Sequence, residues 1–448
     1  MTKLLALFSM IIFSISAFAN LHLAPPSFDY KDGKAVFMDI TEGNYDIKYY
    51  PSKFNSRVKT TWTVNIAEEG YPIFDFVPSR IGIKVNGQWA RFSSVDSPDK
   101  VTSYRVINTK LKPGSHLIEL FTKVKRGTSY GYKSVNSGFF IKDLSEKKFL
   151  EKYVPANLEF DQYPITFNVK IYSKYKHKVV ANGAMRETGW NSYTVKYPSW
   201  YSSSSIYFHT FKQGKYWWIQ KDFKSISGET IPVTIYTKWF LSADKFLTKA
   251  KKVFHELEAD YGAYPHQQLI IYGMAPRGGM EYPGATATSL VSLGHEMFHF
   301  YFAKSVIPAN GNSGWMDEGL ASWRDKGYQR ADKPSYGAFN LGNHSVYKRN
   351  TDDNSYKVGR SFFAYLNSKI DLKVVLRDYF SEHKNSLVTT NNMINFFEGN
   401  TGMALRGDFD QYVLNSNVSG KRANYVEKMS DENIHHVDYT EEELAEIL

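Results

Sequence analysis

From Lys34 to about residue 240 the chain is a succession of short segments rich in Tyr, Phe, Val, Ile and Thr, broken by Gly, Asn, Pro and Ser. Val58-Lys-Thr-Thr-Trp-Thr-Val-Asn-Ile66 alternates apolar and polar positions, the pattern of a strand with one face buried. Tyr104–Ile107, Ser115–Lys123, Ile165–Tyr172 and Ile231–Trp239 are segments of the same kind. Asn86-Gly87 and Asn182-Gly183 are expected to make tight turns between strands. An antiparallel sheet or sandwich follows. At Ser242 the period changes to that of a helix. Leu247, Ala250, Val253, Phe254 and Leu257 share one face, with Ser242 as N-cap and Gly262 as C-cap. A short strand over Gln268–Met274 comes next, then a helix over Thr288–Lys304 and a second one from Trp315. A polar loop over Gly327–Ser355 comes before helices at Leu372–His383 and Asn391–Phe397. The fold class is therefore α+β. A β-rich domain spans 20–240, a helix-containing domain 241–415, and a short acidic tail 416–448.

The first nineteen residues are expected to lie outside the fold. Lys3 supplies a positive start, Leu4 to Ile15 an apolar run, and Ala17-Phe18-Ala19 a small-residue cleavage pattern, so a signal peptide cut before Asn20 is predicted. The apolar run is too short for a comfortable membrane span, and stable insertion after cleavage is not expected. The chain has no cysteine. Export without disulfides points to a bacterial periplasm or a secreted bacterial protein. The formal charge of +10 is spread along the chain, not gathered in a run. It reads as solubility and mild attraction to anionic surfaces, and nucleic acid is not an expected partner.

Chemistry concentrates between Gly278 and Gly319. On a helix His295 and His299, four residues apart in His295-Glu296-Met297-Phe298-His299, project from one face and can grip one zinc ion. Glu296 lies beside them, placed to take a proton from a water on the metal. A third ligand is required. Glu318 follows His299 after 18 residues that contain Pro308 and the turn-forming Asn310-Gly-Asn-Ser-Gly314, so a helix from Trp315 can swing it back onto the metal. By contrast, His177, His209 and the His435-His436 pair read as packed or surface residues. The tryptophans of the front half read as sheet packing.

The whole stretch resembles the aminopeptidase N family of zinc metallopeptidases. The resemblance rests on Gly278-Gly279-Met280-Glu281-Tyr282, which matches that family's GxMEN with Tyr in place of Asn, on the HExxH at His295–His299, and on Trp315-Met316-Asp317-Glu318-Gly319 after the 18-residue gap. The passage from Tyr153 to Gly183 is loosely similar to the family's sheet domain, and the segment from Ser242 onward strongly so.

The resemblance implies a saddle-like sheet domain followed by a thermolysin-like catalytic domain, with one zinc ion per chain. By the same resemblance Glu281 on the Gly279-Met280-Glu281 strand would hold a substrate's free α-amine. Tyr356, in Tyr356-Lys-Val-Gly359, would stabilise the oxyanion, and Asp325 would support a ligating imidazole. The expected function is an aminopeptidase acting on peptides or proteins. A zinc endopeptidase with an open cleft and an inactive exported binder of peptide or cell-wall material are the alternatives. The family's C-terminal helical domain does not fit into the residues after Tyr412, and oligomeric state is not legible in the sequence.

Overall fold

The computed structural model describes residues 21–139, 151–274 and 278–415. The expected signal peptide and the acidic tail with His435-His436 lie outside these residues. Among the described residues no helix is long and apolar enough to cross a membrane.

The front half is built around an eight-stranded sheet. At its centre lie β1 (Asp39–Tyr50), β2 (Asn55–Ile66), β3 (Gly114–Thr122) and β4 (Ile165–Ile171). β1 and β3 flank β2 in antiparallel register, and β4 runs parallel to β1. The alternation in β2 has a direct structural result: Val58, Thr60, Trp62, Val64 and Ile66 are buried, while the residues between them face outward. Trp62 Nε1 donates to the Tyr45 hydroxyl at 3.0 Å, so the indole's one polar atom is satisfied inside the core. Five-stranded and four-stranded sheets complete this half. Asn86-Gly87 makes the expected hairpin, with φ of 47° and 83°.

Asn182-Gly183 does not. The strands before and after it, His177–Ala181 and Ala184–Gly189, belong to different sheets. The Asn182 side chain is instead a buried bridge, accepting from Tyr207 N at 2.8 Å and donating to Ser205 O and Pro283 O at 2.8 and 3.0 Å.

The second half carries a five-stranded mixed sheet. Its strands are β5 (Trp217–Lys224), β6 (Thr230–Thr237), β7 (Leu269–Gly273), β8 (Gly279–Tyr282) and β9 (Ala285–Thr288), in the order β5-β6-β7-β9-β8. β6 is the strand expected at Ile231–Trp239. It pairs in parallel with β7, so this strand already belongs to the sheet of the second half. Strand periodicity reveals a strand but not the sheet it joins. Helix α1 (Ala243–Tyr261) begins at Ser242, whose hydroxyl accepts from Lys245 N, and it buries Phe246, Ala250, Val253, Phe254 and Leu257 against this sheet's core.

The helix that carries His295 is shorter than the expected Thr288–Lys304. Thr288 still belongs to β9, and the Ser289 hydroxyl accepts from Ser292 N at 3.2 Å to turn the chain. Helix α2 then covers Leu293–Phe298. Beyond His299 the coil first tightens, with Phe300 N and Tyr301 N bonding three residues back. It then widens, with Lys304 N reaching His299 O and Val306 N reaching Tyr301 O, five residues back. Helix α3 (Trp315–Asp325) follows, and a wide turn over Ser355–Gly359 leads into α4 (Arg360–Lys369).

The polar loop over 327–355 clasps the front half. Arg349 is 4% exposed, with Nη2 3.0 Å from Asp75 Oδ2 and Nε 2.5 Å from Glu159 Oε1. Tyr347 donates to Pro26 O at 3.0 Å. Burial pushes the neighbouring Glu151 carboxyl up to about 8 and raises Glu159 as well, so this pocket favours neutral acids except where Arg349 supplies charge. Replacing Arg349 with Met is expected to lower unfolding free energy by roughly 3–5 kcal/mol near pH 8, because it strands buried carboxylates. Those carboxylates would hold protons in the folded variant more tightly than in the unfolded chain. The loss should therefore shrink as pH falls towards 5. Reversible denaturant titrations at the two pH values check both the size and the sign.

Candidate metal centre and active site

The i and i+4 spacing places His295 of α2 and His299, which caps that helix, on the face turned towards α3. His295 Nε2 lies 3.3 Å and His299 Nε2 3.4 Å from Glu318 Oε2. Donors held ~2.0–2.1 Å from a tetrahedral zinc are about 3.3–3.4 Å apart, so this spacing is that of a coordination set. The three ligand atoms all lie within 4.8 Å of one another. Two imidazole nitrogens and one carboxylate oxygen also suit zinc chemically.

The electrostatics agree with the geometry. Burial alone would push both imidazoles down. The facing carboxylates, Asp325 and Glu318 for His295, and Glu281 and Glu318 for His299, reverse that. They carry His295 well above its ordinary range and His299 up to about 9. Burial opposes ionisation of Glu318, yet the two imidazoles hold its carboxyl well below the usual range. The cluster stabilises positive charge between its donors, which is what a divalent cation supplies.

Each surrounding residue has a definite place. Asp325, two turns beyond Glu318 on α3, sets Oδ2 2.7 Å from His295 Nδ1. That contact leaves Nε2 to face the ligand set. Arg324 holds Asp325 in turn, donating to its Oδ1 at 3.2 Å and to Glu256 of α1 at 2.8 Å. The Tyr356 hydroxyl donates to Glu318 Oε1 at 2.6 Å. This contact depends on a close backbone approach: a Cβ on Gly319 would lie 3.0 Å from Gly359 Cα, so the two glycines let the turn carrying Tyr356 settle on α3. Glu296 is buried, and burial pushes its carboxyl up to about 8. It faces the edge strand β8, where a Cβ on Gly279 would lie 2.4 Å from its Oε1. Met280 is half-buried on β8, its carbonyl accepting from the Thr286 hydroxyl. Glu281 is buried next to it, its Oε1 3.3 Å from Lys304 Nζ. His177 and His209 lie elsewhere: each is buried and hydrogen-bonded in the four-stranded sheet of the front half.

Two residues at the site escape sequence reasoning. Asp317 Oδ2 lies 3.6 Å from His299 Nδ1. Lys304 pairs with Glu281. Asp317 stands immediately before Glu318, and the step of about 100° between neighbours on α3 gives it a separate direction. Lys304 is the only charged residue, histidine aside, between Glu296 and Asp317. A lone lysine in such an apolar run signals a buried partner.

Two substitutions probe this architecture. Asp325→Asn should lower zinc affinity by roughly 10–100-fold, read by competition with a chromophoric chelator. Gly279→Ala should leave zinc content unchanged and displace the Glu296 carboxylate. Metal analysis together with a crystal structure of the variant tests that separation; loss of zinc would contradict it.

No family model matches the sequence, and no curated protein matches it. Solved structures do. An M1 zinc metallopeptidase from Deinococcus radiodurans superposes with a TM-score of 0.58 at 14% identity, covering 82% of this chain and 91% of that one. Legionella pneumophila aminopeptidase A, in complex with aspartic acid, gives 0.61 at 12% identity, covering 86% of this chain and 50% of that one. Leukotriene A4 hydrolase from Saccharomyces cerevisiae gives 0.58 at 15% identity, covering 82% of this chain and 65% of that one. This chain therefore has the α+β fold of the M1 zinc metallopeptidases, a β-rich N-terminal part followed by the thermolysin-like part that carries the His295, His299 and Glu318 cluster.

Proposed function

We propose that the protein is a zinc metallopeptidase that hydrolyses peptide bonds in peptide or protein substrates. One observation carries the reading: His295, His299 and Glu318 converge at zinc-ligand spacing with Glu296 and Tyr356 at the same point. Export to a bacterial periplasm or medium belongs to the same proposal and rests on the leader-like first nineteen residues.

A zinc ion bound by the three ligands supplies Lewis-acid polarisation of the scissile carbonyl and lowers the pKa of water towards neutrality. The chain's own groups do the rest. β8 pairs with β9 on one side and forms the sheet edge on the other, so an extended peptide can add to it through main-chain hydrogen bonds. Glu296, facing that edge, takes the proton of the attacking water and passes a proton to the departing nitrogen. Tyr356, whose one hydroxyl proton goes to Glu318 Oε1 in this structure, turns it to the oxygen on which charge develops. Burial and the nearby carboxylates hold its phenol well above the ordinary range, so it stays a donor throughout the neutral range. Asp325 keeps His295 oriented. In the aminopeptidase form of this reading, which the resemblance implies, Glu281 receives a free α-ammonium and limits the cut to the first residue.

The test is hydrolysis of aminoacyl fluorogenic amides and short peptides by the zinc-loaded protein and two variants. Glu296→Gln should lower kcat by roughly 10²–10⁴-fold with zinc still bound. Tyr356→Phe should lower kcat by about 10²–10³-fold with KM nearly unchanged. Absence of turnover by zinc-loaded wild type on every substrate would sink the peptidase reading and favour the binding-protein alternative.

A further inference from the structure

Glu281 is the carboxylate that an aminopeptidase reading assigns to a substrate's ammonium, yet the chain brings its own ammonium to it. Both side chains of the Glu281–Lys304 pair are only 7% exposed, with Nζ and Oε1 3.3 Å apart. Two independent elements create the contact. Edge strand β8 presents Glu281, and the widened turn after α2, in which Lys304 N bonds back to His299 O at 2.9 Å, presents Lys304. The pair adjoins the metal cluster, because ligand atoms of Glu281, His299 and Asp317 fall within 4.8 Å of one another.

An α-ammonium reaching Glu281 would have to compete with a tethered cation that loses no translational freedom in staying where it is. Displacing Lys304 would also break a buried ion pair and leave a charge to be solvated elsewhere, a costly exchange. Without displacement the incoming cation meets a pair of no net charge and gives up its water for little return. An acylated nitrogen gives up far less, because it carries no charge.

We propose that Lys304 is a specificity-determining residue: by neutralising Glu281 it releases the site from any need for a free α-amine, so the substrates are polypeptides cut at internal bonds and peptides with acylated N-termini. The inference rests on the peptidase reading and narrows its substrate class. It also sets a limit on the resemblance, since Glu281 occupies the expected strand without being open to the expected ligand.

The zinc-loaded protein is assayed with phenylalanyl 4-nitroanilide, its N-acetyl form, and a decapeptide blocked at both ends whose products are read by mass spectrometry. Wild type should cleave the acetylated anilide about as well as the free one and cut the blocked peptide internally. In Lys304→Met the exposed carboxylate should raise the preference for the free amine roughly 10–100-fold in kcat/KM, and Lys304→Met/Glu281→Gln should abolish that gain. Cleavage by wild type that vanishes on acetylation overturns the inference without any variant. An unchanged preference in folded Lys304→Met overturns it too. Calorimetry of zinc-loaded Glu296→Gln with Phe-Ala-Phe and acetyl-Phe-Ala-Phe separates this inference from the reading beneath it. Acetylated peptide bound at least as tightly as free peptide, in a protein whose wild type turns nothing over, would retire the peptidase reading and leave the role of Lys304 standing. Tighter binding of the free peptide, in a protein whose wild type does turn substrates over, would overturn the role of Lys304 and leave the peptidase reading standing.

Discussion

The carboxylate of Glu318 is the group on which the rest of the site depends. One oxygen stands between the Nε2 atoms of both histidines and the other accepts from Tyr356, so a single side chain fixes the meeting point of α2, α3 and the turn before α4. Such a charge is tolerated in a buried place only if positive charge faces it. The two imidazoles can do so in the protein alone when protonated, and the carboxylates around them push both above their ordinary range. A dication in the same place satisfies the same demand without those protons, which makes metal affinity and imidazole protonation competing states of one cluster.

The two halves of the chain serve this cluster at a distance. Asn182 and Tyr201 of the front half both donate to Pro283 O, immediately after edge strand β8, so the sheet domain helps hold the strand that faces Glu296. Arg349 couples the halves more strongly, entering an otherwise acid-rich pocket between Asp75 and Glu159. The loop that carries it ends at the turn bearing Tyr356. A disturbance of that ion pair is therefore connected, through a few residues of chain, to the phenol at the site.

What could be read from the sequence follows the range of the interactions involved. The alternation in β2, the Ser242 cap and the apolar face of α1 are local, and each took the form its pattern predicts. The grouping of His295, His299 and Glu318 is nearly local as well: one helical turn links the histidines, and a loop with an unmistakable turn links them to Glu318. Long-range pairings were opaque. Strand periodicity could not assign Ile231–Trp239 to the second sheet, and Asn182-Gly183 has the composition of a hairpin turn yet links two sheets. The helix expected over Thr288–Lys304 shrank to Leu293–Phe298, because Thr288 is committed to a parallel ladder with β7 and the aromatic run after His299 winds through tighter and wider turns. That widening is what brings Lys304 to Glu281, and no spacing rule contains it.

The two histidines that face Glu318 are not equivalent. His295 Nδ1 has a carboxylate oxygen at 2.7 Å, a hydrogen bond that fixes both ring orientation and tautomer. The corresponding atom of His299 has Asp317 at 3.6 Å, beyond hydrogen-bonding range. His299 is nevertheless the more deeply buried ring, at 1% exposure, and its plane stands at 78° to that of His295 with centroids 4.8 Å apart. Packing must therefore do for His299 what hydrogen bonding does for His295. The consequence is an asymmetric site. His295 is held by a polar chain running through Asp325 and Arg324 to α1, and His299 by the shape of the core around the turn that also carries Lys304. Changes to that turn therefore act on His299 and on the Glu281–Lys304 pair together, whereas changes at Asp325 act on His295 alone.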